Sequence, residues 1–166
     1  MVGVVAFVAD RVSKWYVVTR LTPFEGDSIS LVGTWLRITH VHNTGVAFGM
    51  FTNRNLLLGL LALAVLVVMV AFYRQLPRDI PWLTVSLGLQ VGGAIGNLVD
   101  RLRQGYVTDF IQVPHWPVFN IGDSCICVGV TMLALYLLFQ GESQPARQEK
   151  QRHDHGRVRP HPRVSD

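Results

Sequence analysis

The chain has 166 residues and a mass of 18.6 kDa, enough for one domain or a small helical bundle. Hydrophobic residues make up 49% and charged residues only 16%, against about 25% charged in soluble domains, and mean hydropathy is +0.30. Residues 140–166 hold six of the fifteen Lys and Arg and four of the eleven Asp and Glu, so the body has few charges with which to face water. Disordered, collagenous and disulfide-stapled classes are excluded, and an integral membrane protein is expected. The net charge of +4 comes with no basic stripe interleaved with aromatics, so nucleic acid is not an expected partner. Cys125 and Cys127 are spaced i,i+2 in an apolar run, point in different directions on a helix, and are expected to be packing residues.

A spanning helix needs about 20 mostly apolar residues. Met1–Thr19 is apolar up to Asp10, Arg11 and Lys14. Its basic residues follow the apolar run, the reverse of a signal peptide, so it reads as a retained helix. The connection 20–54 carries two stretches rich in β-branched and aromatic residues, Ser28–Val32 and Trp35–His42, with Gly33-Thr34 between them as a two-residue turn. A small outer hairpin is expected there, and Gly45–Phe51 is expected to return to the membrane as an interfacial segment. The residues between Arg54 and Arg74 are all uncharged, as are those between Asp79 and Asp100, which open with Pro81 near the helix start. A fourth span runs from about Phe119 to Phe139 with Asp123 near its beginning. From Gly141 the chain lacks apolar periodicity and is expected to be a disordered tail, its His153, His155 and His161 simply solvated. With the N-terminus inside, the inner segments hold eight Lys and Arg and the outer ones five, which favours an N-in, C-in topology.

Polar groups in spans are expensive and mark function by default. Gly88, Gly92 and Gly96 recur at i,i+4,i+8, a small-residue stripe read as helix packing; Gly93, Asn97 and Arg101 repeat that spacing beside it, and Asp100 follows Gly96. Asp10 and Lys14 form an i,i+4 acid-then-base pair, read as a structural ion pair. Asp109, in the loop after the third span, and Asp123, following Asn120, have no basic partner at helical spacing. Brought together they would share a proton and supply an acid and a base for amide hydrolysis; otherwise they are two unrelated carboxylates. Ser124 lacks a nucleophile context and no His lies within the spans. His40 and His42 share one strand face without a third metal ligand, and H-E-x-x-H, P-loop and dinucleotide motifs are absent, so no metal or cofactor is expected.

Five motifs then occur in order: Asp10-Arg-Val-Ser-Lys14, His42-Asn-Thr-Gly-Val-Ala-Phe-Gly49, Gly93-Ala-Ile-Gly-Asn-Leu-Val-Asp-Arg101, Val107-Thr-Asp-Phe110 and Phe119-Asn-Ile-Gly-Asp123. Together, over about residues 1–139, they resemble the lipoprotein signal peptidase (signal peptidase II) family of bacterial inner-membrane aspartic peptidases. The resemblance implies a catalytic pair at Asp109 and Asp123, with substrate-binding or support roles for Asp10, Lys14, Asn43, Asn97, Asp100, Arg101 and Asn120. It implies cleavage of prolipoproteins just before the diacylglyceryl-modified cysteine, and binding of globomycin-type inhibitors. Gly122 stands where the family usually has Ala, which is expected to loosen the approach to Asp123. The first helix is also short before Asp10 for that family, so either the true start lies upstream or the bilayer thins there.

The expected architecture is an all-α membrane protein of four transmembrane helices with a small extracytoplasmic β element. Residues 1–139 form the transmembrane peptidase domain and 140–166 the cytoplasmic tail. The expected protein is a monomer in the bacterial inner membrane, in contact with lipid, with its active site at the outer face. Gly45–Phe51 and the hairpin are expected to cover the peptide there. The alternative function is a noncatalytic carrier or scaffold with a polar intramembrane path; four helices without inverted repeats make that less natural.

Overall fold

A computed structural model describes residues 1–23, 27–45, 55–75 and 80–155, with the side chains of residues 55–56 and 140–155 outside that description. The elements run α1 (Val2–Arg20), β1 (Ser28–Val32), β2 (Leu36–Asn43), α2 (Asn55–Tyr73), α3 (Pro81–Gln104), β3 (Val107–Gln112) and α4 (Ile121–His155). Met1–Leu133 form one compact unit and a second begins at Ala134.

Local chemistry explains the boundaries. Pro81 starts α3 at a position whose N–H would be unpaired anyway, and Gly105, at φ 79, ends it in the left-handed conformation with its N–H on the Arg101 carbonyl. The helix therefore runs one turn past Asp100, where the uncharged stretch stops. At α4, the Asn120 side chain accepts the Asp123 N–H at 2.9 Å, while the Asp123 carboxylate accepts the Asn120 N–H at 3.3 Å. This is a reciprocal capping box, and it starts the helix at Ile121.

Two helices, Pro81–Gln104 and Ile121–Phe139, are long and apolar enough to cross a membrane, and Leu57–Tyr73 is apolar but shorter. α1 fails that test because of its charges, yet its outward face is Val4, Val5, Val8, Val12, Trp15 and Val18, all exposed. Its charged residues Asp10 and Lys14 are 0% and 2% exposed. The molecule is thus apolar outside and polar at one end inside, the reverse of a water-soluble globule. Cys127 faces outward and Cys125 is half-buried, so only the second can pack as expected.

The hairpin forms where the stretches rich in β-branched and aromatic residues place it, as Ser28–Val32 and Leu36–Asn43. Its turn is Gly33–Trp35, with Gly33 at φ 50, and the ladder carries an irregularity between Ser30 and Val32. The hairpin is not alone. β3 pairs antiparallel with β2 to make a three-stranded sheet ordered β1-β2-β3. The segment read as a loop around Asp109 is therefore a strand. It shows no alternation because Val107, Thr108, Asp109 and Phe110 are all buried.

α4 also outlasts its apolar stretch, continuing from Phe139 to His155. Helix propagation needs good helix formers rather than periodicity, and Glu142, Ala146, Arg147, Gln148, Glu149 and Lys150 supply them. The stretch from Gly141, expected to be disordered, is helix as far as His155. Residues 156–166, which include His161, and residues 46–51 of the expected interfacial segment lie outside the described residues.

Candidate active site

The packing of α1 on α3 builds the site from its floor. Gly92 and Gly96 face α1: a Cβ at Gly92 would meet the Gly3 carbonyl and Ala6, and one at Gly96 would meet the Asp10 carboxylate. Close backbone approach lets short polar side chains reach across. The Lys14 Nζ donates to Asn97 Oδ1 (2.7 Å) and forms ion pairs with Asp10 Oδ2 (2.8 Å) and Asp100 Oδ2 (2.9 Å). Arg11 pairs with the other Asp100 oxygen, and the Thr108 N–H donates to Asp100 Oδ2 at 3.3 Å. The Asp10–Lys14 pair is therefore one edge of a larger network, which ties α1 and α3 to β3.

Two carboxylates top this floor. Asn97, oriented by Lys14, donates to Asp123 Oδ1 at 2.7 Å. Asn120, which caps Asp123, donates from Nδ2 to Asp109 Oδ1 at 2.6 Å. On its other oxygen Asp109 accepts Asn43 Nδ2 at 2.7 Å, and the Gly45 N–H holds the Asn43 oxygen at 3.0 Å. Asn120 thus touches both acidic residues: its side chain bonds the Asp109 carboxylate and the Asp123 backbone N–H, and its own backbone N–H bonds the Asp123 carboxylate. Arg101 lies within electrostatic reach of Asp123, Asp109 and Asp100, and its guanidinium donates to the Gly45 carbonyl at 3.4 Å.

Burial and the neighbouring Asp123 carboxylate push Asp109 up to about 7, against the opposing hydrogen bonds of Asn43 and Asn120 and the Lys14 charge. Among the described residues, three cations (Arg11, Lys14, Arg101) meet four carboxylates (Asp10, Asp100, Asp109, Asp123). A single proton held by Asp109 and Asp123 together leaves the cluster neutral. A buried carboxyl pair with one proton has the chemistry of water activation opposite carbonyl polarisation.

Residues 2–139 match the signal peptidase (SPase) II family. The chain belongs to that family. It is 40% identical over 144 residues to a lipoprotein signal peptidase of Moorella thermoacetica, covering 87% of this chain and 95% of the relative. It is 41% identical over 142 residues to another from Dehalococcoides mccartyi, covering 82% and 86%. Among solved structures it resembles a bacterial membrane enzyme determined in meso at 2.3 Å resolution, with TM-score 0.79 and 28% identity over 86% of this chain and 88% of that one.

All nine site residues expected in this signal peptidase II chain fall in one connected cluster. Arg11, part of the first motif, joins them through Asp100. The extra freedom expected at Gly122 is not seen. Its N–H donates to Asp10 Oδ1 at 2.8 Å, and a Cβ at Gly93 would collide with the Gly122 backbone, so the start of α4 is held against α1 and α3. His40 and His42 do lie side by side, but among the described residues no group of three or more metal-ligand side chains occurs.

Proposed function

We propose that this chain is an aspartic endopeptidase that removes the signal peptide from diacylglyceryl-modified prolipoproteins, cutting before the lipidated cysteine. The observation that carries the reading is the Asn120 bridge: the Asp109 carboxylate accepts from its side chain and the Asp123 carboxylate from its backbone N–H, inside a network that otherwise neutralises its charges. The ionised member of the pair takes a proton from water as the water oxygen attacks the scissile carbonyl. The protonated member donates to the carbonyl oxygen. Collapse of the tetrahedral intermediate breaks the C–N bond, and a dyad proton goes to the departing amine. The two carboxylates titrate as a unit, so neither owns the acid or base role alone.

Asn97, Lys14, Asp10, Asp100 and Asn43 act as positioning residues, and Arg101 adds positive charge beside the pair. The peptidase domain is residues 1–139, with four spans, N-in and C-in, in the bacterial inner membrane. The exposed apolar face of α1 and the apolar α2 support spans beyond the two that meet the length criterion. The dyad then lies at the outer interface, where a diacylglyceryl group anchored in the outer leaflet presents its peptide. The chain acts as a monomer in contact with lipid and binds globomycin-type inhibitors at this site. The test is incubation of purified protein with lipidated and unlipidated prolipoprotein. Signal peptide release from the lipidated form alone is expected; equal cleavage of both, or of neither, contradicts the reading.

A further inference from the structure

The strand that carries Asn43 is held by more than its ladder. Pairing between β2 and β3 is irregular between Ile38 and Val41 and resumes at Val41↔Asp109, His42↔Thr108 and Asn43↔Val107. A ladder interrupted so close to the site does not by itself pin the register of the residues after the break. A row of rings spans that region. The His40 Nδ1–H donates to the carbonyl of Leu21, the residue just past α1, at 2.8 Å, and His40 is 3% exposed. The His40 ring meets the His42 ring edge-on, with centroids 5.0 Å apart and planes at 70°. His42 in turn stacks on Tyr106 at 3.8 Å and 20°. Tyr106 follows Gly105, the residue that ends α3. The row therefore straps the end of α1 to β2 and β2 to the end of α3.

We propose that His42 is a positioning residue for cleavage: its stack on Tyr106, backed by His40, holds β2 where Asn43 reaches Asp109. The inference rests on the reading of Asp109 as one of the reacting carboxylates. Its consequence is chemical. The Asn43 amide donates to the Asp109 carboxylate and so favours the ionised form. The groups that face Asp109 are Asn43 from β2, Asn120 and Asp123 from the start of α4, Lys14 from α1 and Arg101 from α3. Only the first is carried by the strand that His42 holds. Loosening the stack acts first on that bond, since the pairs Val41↔Asp109 and His42↔Thr108 still tie β3 to β2.

The experiment is the pH profile of kcat/KM on a lipidated prolipoprotein for His42→Ala, His42→Phe, Tyr106→Ala and Asp109→Asn, each with its folded fraction measured. His42→Ala and Tyr106→Ala are expected to lower kcat/KM about 3- to 10-fold, the size of one lost neutral hydrogen bond. Both should also move the basic limb upward by about half a pH unit, since that limb is the loss of the pair's shared proton and Asp109 loses a partner of its ionised form. His42→Phe keeps the flat ring that stacks on Tyr106, so it is expected to retain the wild-type limb. A purely structural role would lower the folded fraction without moving the limb. An unmoved limb in His42→Ala, or a limb in His42→Phe moved as far as in His42→Ala, overturns the proposal. A folded Asp109→Asn that still cleaves overturns instead the reading on which it rests.

Discussion

The two ends of the α1–α3 pair are built from opposite materials. At one end Gly3, Ala6, Gly88 and Gly92 bring backbones together with almost no side chain between them. At the other, within two helical turns, Asp10, Lys14, Asn97 and Asp100 fill the same interface with buried charge and amide. In a lipid environment the first arrangement suffices to pack helices. The second is expensive, and holding helices together does not require it. Its extent marks the end of the molecule to which the proposed chemistry is assigned.

Lys14→Met breaks the polar end most severely. It leaves the buried Asp10 carboxylate with no cation and removes a partner from Asp100 and the Asn97 oxygen, and the expected cost is about 3–5 kcal/mol. This is read as a large fall in detergent melting temperature or as loss of folded protein. Arg11→Met should cost about 1 kcal/mol or less, because Arg11 is 29% exposed and Asp100 keeps Lys14. Equal losses in the two variants would contradict the central place given to Lys14.

Added methyl groups sharpen the comparison. Gly92→Ala and Gly93→Ala each overpack a helix contact, at about 1–3 kcal/mol. Gly92→Ala strikes the packing end, so turnover per folded molecule should hold while the melting temperature falls. Gly93→Ala presses on Gly122, the neighbour of Asp123, and should lose turnover out of proportion to stability. The reverse pattern would move the functional end to the wrong side of the bundle.

A smaller effect follows from Asp109. Its pKa lies at about 7 in the folded chain and near the ordinary value of about 4 when unfolded. The folded state therefore holds a proton that the unfolded state releases between those values. This contribution to stability is fully present below about pH 4 and is lost as pH rises through about 7. Asp109→Asn cannot take part. From pH 5 to 8 the wild-type melting temperature should fall relative to that variant, and parallel curves would argue against the raised value.

α2 and α3 are legible because the apolar runs bounded by Arg54 and Arg74 and by Asp79 and Asp100 leave little choice of position. The hairpin was legible from β-branched residues around Gly33. β3 was not, since a six-residue strand buried on both faces has no alternation to read. The site residues could be named from their motifs, but their meeting could not. Whether Asp109 and Asp123 converge depends on a strand register and on Asn120. The Asn120-x-x-Asp123 spacing is itself a capping signature, so the fixing of Asp123 was present in the sequence as a helix start. The continuation of α4 is not legible from apolar periodicity, which ends at Phe139 while the helix does not.

The smallest effect is expected beyond the bundle. Every residue assigned to the site lies within Met1–Leu133. Deleting residues 143–166 should leave cleavage in detergent nearly unchanged, though it removes six basic residues that bear on orientation in cells. A folded truncation that binds substrate without cutting it would give the tail a part in the chemistry.

The central claim is that Asp109 and Asp123 act together on water. Its most direct test is cleavage of a lipidated prolipoprotein by Asp109→Asn and Asp123→Asn, each shown to be folded in detergent. Asn keeps the shape but can neither take the proton from water nor share one, so both variants should lose cleavage entirely. Near wild-type turnover in either would remove that residue from the reaction and end the account of a dyad.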